Sequence, residues 1–79
     1  MDLEIEEKQP RSIAELMKII EALIFVSNEP LSVKELAGIL EEDEEIIQSA
    51  AAELAKEYEE RESGLQLREI AGGWQISTR

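Results

Sequence analysis

The residues of this chain that could do chemistry are almost all carboxylates. Nineteen Asp and Glu stand against eight Lys and Arg for a net charge of −11, with no histidine and no cysteine. Without histidine or any other Ser–base arrangement, nucleophilic catalysis has no evident base. General acid–base work needs carboxyl groups set apart from their neighbours, and on so acidic a surface no pair is singled out. The densest run, Glu41 to Glu45, lacks the spaced oxygens and the glycine of an EF-hand loop. Gly72-Gly73 leads into a strand pattern rather than a helix, which makes it a hairpin turn and not a phosphate cradle. These residues point to no enzyme, no metal site and no cofactor.

The same charge bears on partners. Nucleic-acid affinity rests mainly on cations that neutralise phosphates, and a net negative field repels both DNA and anionic lipid. The eight cations are scattered along the chain rather than gathered into a patch. The absence of cysteine removes disulfides and thiolate metal sites and fits a reducing cytoplasm. The first ten residues, MDLEIEEKQP, carry no basic region followed by an apolar run and so do not read as a signal peptide. The most apolar stretch, Ile13 to Val26, is broken by Glu15, Lys18 and Glu21 and is too short and charged to span a membrane.

With 79 residues, the chain has room for one small domain. A chain of this size buries only about 60% of its unfolded surface, so association with a partner is a common source of extra stability. Residues 1–11 are acidic, with Leu3 and Ile5 alternating among Asp and Glu. They read as a flexible tail, or as an extended segment that pairs with a neighbour. Ser12 and Glu15 have the spacing of a capping box, predicting a helix from there to about Ser27. Asn28 suits the left-handed position that often ends a helix. Pro30 forces an extended step. Ser32 and Glu35 repeat the box, with Val33, Leu36, Ala37 and Leu40 as the inner face of a second helix.

Glu41-Glu42-Asp43 makes a turn, and Asp43 is placed to cap a third helix whose buried stripe is Ile46, Ile47, Ala50, Ala51, Leu54 and Tyr58. Two strands follow, Leu65 to Ile70 and Trp74 to Thr78. A turn at Gly72-Gly73 would set Ala71 opposite Trp74, Glu69 opposite Ile76 and Leu67 opposite Thr78. Leu67, Ile76 and Trp74 then share one face, and Arg68, Ile70, Gln75 and Ser77 the other. Three helices followed by a β-hairpin make an α+β winged helix over residues 12–79.

In most helix-turn-helix proteins the second helix of the motif reads the major groove. Here that helix opens Asp43-Glu44-Glu45 and carries five more acids by Glu62 against Lys56 and Arg61. Two function classes remain. One is a winged helix used for protein interaction. The alternative is a DNA-binding winged-helix transcription regulator, which needs Lys34, Lys56, Arg61, Arg68 and Arg79 to converge. The interaction reading has a candidate surface. On the first helix, at about 100° per residue, the apolar residues span roughly 220°, wider than one core-facing stripe requires. Ile19, Ala22 and Val26 are the excess flank, either wrapped by the domain itself or packed against another subunit. Ile70 and Trp74 of the wing form a second candidate patch.

The run IIEALIFVSNEPLSVKELAGIL, the acidic turn after it, and GLQLREIAGGWQISTR resemble the ScpB family of bacterial segregation and condensation proteins. The resemblance covers about Ile13 to Arg79, with Asn28 where the family often has glycine. It implies the first of two tandem winged helices, the second lying outside this chain. It further implies a homodimer without catalytic activity that holds the kleisin subunit ScpA, and through it the SMC ATPase, in chromosome condensation and segregation. A cytoplasmic, nucleoid-associated location goes with that role, with no membrane contact and no sequence-specific nucleic-acid binding.

Overall fold

The computed structural model describes residues 11–79; apart from Arg11, the expected tail lies outside the described residues. Helix α1 (Ile13–Val26) and helix α2 (Val33–Leu40) each start from a complete capping box. Ser12 Oγ accepts the Glu15 N–H at 3.1 Å while the Glu15 carboxylate accepts the Ser12 N–H at 3.1 Å. Ser32 and Glu35 do the same at 3.0 and 2.9 Å. Helix α3 (Glu44–Glu60) starts at Asp43, but the Asp43 side chain makes no capping bond. Its carbonyl takes the Ile46 and Ile47 N–H groups instead. Glu44 and Glu45 lie in the first turn, at the positive end of the helix dipole.

The end of α1 differs from expectation. Asn28 is not among the residues with positive φ. Ser27 is extended, and its hydroxyl accepts the Glu29 N–H and donates to the Glu29 carbonyl. The Ser27 side chain thus closes the turn before Pro30, and no left-handed residue is needed. Left-handed geometry falls on Glu41 and Glu62 instead, each just past the end of α2 or α3.

Strands β1 (Leu65–Ile70) and β2 (Gly73–Thr78) form an antiparallel pair. The turn is Ala71-Gly72 rather than Gly72-Gly73. Both turn residues have positive φ, 51° and 81°, the signature of a type I′ turn. The register is therefore Leu67↔Ile76, Glu69↔Trp74 and Ile70↔Gly73. Relative to the expected register, Ile76 moves two residues along β1, so the two faces keep their membership. The cause lies at Gly73. A Cβ there would stand 2.8 Å from Pro30 Cβ, so this glycine is needed in the strand for close approach and is not spent on the turn. The contact is reinforced where Leu31 and Trp74 exchange both backbone hydrogen bonds, at 3.0 and 2.7 Å.

The core joins Leu16, Met17, Ile20 and Ile24 of α1 to Leu36, Ala37 and Leu40 of α2. Ile47, Ala50, Ala51, Leu54 and Tyr58 of α3 complete it, closed by Leu67 and Trp74 of the hairpin. Ile46 was expected in the α3 stripe but is 37% exposed, because it lies at the stripe's edge. Tyr58 is 2% exposed, donates its hydroxyl proton to the Glu21 carboxylate, and lies 4.8 Å below the Arg61 guanidinium. Burial first, then the Glu21 bond and charge, push the Tyr58 phenol up to about 12, against a smaller opposing pull from Arg61.

Candidate protein-interaction surface

Of the five cations that a nucleic-acid site would need, Arg61 and Arg79 are engaged within the fold, Lys34 lines an acidic cleft, and Lys56 and Arg68 are exposed. A cleft of about 470 Å³ between the starts of α2 and α3 and the wing is lined by Lys34, Glu44, Glu45, Gln48 and Glu69, among others. Three carboxylates surround one cation there, so the mouth of the fold repels phosphate. Arg61 is stacked on Tyr58. Arg79 donates to the carbonyls of Ser63 and Tyr58 and lies 3.7 Å from the Glu59 carboxylate. Arg11 donates to the Leu40 carbonyl at 2.9 Å and lies 3.8 Å from Glu42, which ties the start of α1 to the end of α2. Among the described residues no group of acids is arranged to hold a metal ion. Nor is any helix among those residues long and apolar enough to cross a membrane.

What the surface does offer is apolar. α1 buries Leu16, Met17, Ile20 and Ile24, and its Glu21 edge is held by Tyr58 of α3. Ala22 stands two residues from both Ile20 and Ile24, which places it on the opposite, outward side of the helix. It is exposed, and Val26, one turn on, is 73% exposed. Ile19 is half-buried and packs against the core. Two of the three residues expected on this flank therefore share an open surface, and Ile19 forms its shoulder.

The wing patch does not form. Trp74 is 6% exposed and belongs to the core, in a strand that packs against α1 and is bridged at Trp74 to Leu31. Its Nε1 meets no acceptor among the described residues. Ile70 is half-buried on the other face of the hairpin, so the two residues do not share a surface. Phe25, at 67% exposure, and Ile39, at 58%, are apolar surface residues that the sequence reading passed over. Phe25 lies off the core stripe, where periodicity gives it no weight. The signal available was the run Ala22 to Val26, five apolar residues that make more than one helical turn apolar all round.

Residues 18–79 match the family model for the segregation and condensation complex subunit ScpB. The chain is 47% identical over 60 residues to segregation and condensation protein B of Desulforamulus reducens, covering 76% of this chain and 33% of that protein. It is 34% identical over 74 residues to the Myxococcus xanthus protein of the same name, covering 94% of this chain and 22% of that one. The chain thus spans about a third or less of the length of these relatives. Among solved structures, ScpB from Mycobacterium tuberculosis superposes with a TM-score of 0.85 at 30% identity, over 90% of this chain and 44% of that one. A dimer of the ScpB N-terminal domain complexed with ScpA peptide superposes at 0.79 and 31% identity, over 85% of this chain and 84% of that one.

Proposed function

The chain belongs to the ScpB family of segregation and condensation complex subunits, and from that premise we propose that it is a non-catalytic, dimerising winged-helix scaffold. It binds the kleisin ScpA, and through it the SMC ATPase, in chromosome condensation and segregation, in the cytoplasm and at the nucleoid. Residues 12–79 constitute one of the two winged helices that the family resemblance implies. The observation that carries this reading is the match in extent with a solved ScpB N-terminal domain that is both dimeric and complexed with ScpA peptide. The local chemistry agrees with it. Arg11, Arg61 and Arg79 are engaged within the fold and the cleft beside the wing is acidic, while an apolar strip on α1 stands open.

The test is calorimetric titration of the chain with a synthetic ScpA segment, alongside titration with duplex DNA at low salt. Saturable binding of the segment, with no DNA binding, is the expected result. Tight DNA binding with a steep salt dependence, and no response to the segment, would overturn the proposal in favour of a DNA-binding regulator.

A further inference from the structure

We propose that Arg11 and Arg79 are a matched pair of electrostatic latches. One holds the start of α1 against the end of α2, the other holds the end of β2 against the end of α3, and both open at high ionic strength while the core stays closed. The need for them lies in how α2 and α3 stop. Neither helix has a basic residue in its last turn to offset the negative end of its dipole. Each instead runs into acids and a left-handed glutamate: Glu41 and Glu42 after α2, and Glu59, Glu60 and Glu62 around the end of α3. Arg61, the cation nearest to that end in sequence, is stacked over the Tyr58 ring. The carbonyls at both helix ends therefore take their cation from a distant part of the chain.

Arg11, just ahead of α1, donates from Nη1 to the Leu40 carbonyl at 2.9 Å, with the Glu42 carboxylate at 3.8 Å. Arg79, just past β2, donates from Nε to the Ser63 carbonyl at 2.6 Å and from Nη2 to the Tyr58 carbonyl at 3.4 Å. The Glu59 carboxylate lies 3.7 Å from the same Nη2, and the Arg79 N–H bonds to the Gly64 carbonyl at 3.0 Å. Each arginine joins elements that otherwise meet little. α1 and α2 both pack on α3 but make few close backbone approaches to one another, and β2 approaches β1 and α1 far more than α3. The latches thus close seams at the edge of the fold, outside the core. Their side chains are 34% and 37% exposed, so the ionic part of each contact is open to screening. The range of a charge contracts from about 10 Å at 0.1 M salt to about 3 Å at 1 M, shorter than either ion pair.

Hydrogen exchange of the chain, followed amide by amide by NMR, reads the two latches separately. Arg11→Gln removes the charge and is expected to lower protection of the Glu42 N–H, which bonds to the Ala37 carbonyl, by about three- to tenfold. Arg79→Gln is expected to do the same to the Glu62 and Ser63 amides, which bond to the Glu59 and Tyr58 carbonyls. Each variant should leave the other latch alone. The amides of Ile20 and Leu54, buried in the middle of α1 and α3, should keep wild-type protection in both. In about 1 M sodium chloride the wild type should lose protection at Glu42 and Ser63, and each variant should respond less at its own site. Unchanged protection of Glu42 and Ser63 in the variants would overturn the proposal, and so would an equal loss at Ile20 and Leu54. A salt response as large in the variants as in the wild type would overturn it too.

Discussion

The Tyr58 hydroxyl offers a sharp physical test, because this is the only tyrosine in the chain and its ionisation can be followed alone by tyrosinate absorbance. The phenol is buried against α1 and bonded to the Glu21 carboxylate, so ionisation would set two negative charges side by side with little water between them. Its pKa therefore stands at about 12 in the folded protein against 10.0 for the free group. At 1.36 kcal/mol per unit, that gap corresponds to about 2–3 kcal/mol of folding free energy. The folded value is the higher one, so this stability is fully present below about pH 10 and is lost as pH rises through about 12.

The assay is an absorbance titration of the folded protein, paired with urea denaturation of wild type and Tyr58→Phe across the same alkaline range. Tyr58→Phe forfeits the bond to Glu21 and loses about 1 kcal/mol near neutrality. It should then fall less steeply than wild type in alkali. A folded-state midpoint near 10.0, or two stability curves falling in parallel, would show that Glu21 and burial do not hold the Tyr58 proton.

Three further outcomes follow from the backbone. Gly73→Ala places a methyl group 2.8 Å from Pro30 Cβ, and thermal denaturation should show a loss of about 1–3 kcal/mol. Ala71→Asn keeps the type I′ turn with a residue that tolerates φ of 51°, and should raise the melting temperature by a few degrees, corresponding to roughly 0.5–1 kcal/mol. Ser32→Ala deprives the Glu35 N–H of its acceptor; a drop of about 1 kcal/mol, or about 4–8 °C, is expected by calorimetry.

Local signals carried most of the fold. Both capping boxes are set by residues three apart, and the structure forms both. The hairpin turn was misplaced by one residue because Gly72 and Gly73 are indistinguishable as letters. What separates them is Pro30, more than forty positions away, which presses on Gly73 and leaves Gly72 in open space. Trp74 was misread for a related reason. The strand period already sets it on the apolar face with Leu67 and Ile76, opposite Ile70, and what the period does not reveal is the long-range bridge to Leu31. On α1 the core stripe was legible from spacing, and Ala22 and Val26 were found as its outward excess. Phe25 was not, since a lone aromatic off the stripe carries no periodic signal. Whether an apolar flank is covered by its own domain is a tertiary fact, and the exposures of Phe25 and Val26 show that the described fold leaves it open.

A dimer that holds a kleisin segment, as proposed for this module, has a mass set by both contacts. Sedimentation equilibrium of the chain, alone and with a synthetic ScpA segment, tests it most directly. Twice the mass of a single chain is expected at micromolar concentration, with a further increase when the segment is added. A single-chain mass in both conditions would contradict it.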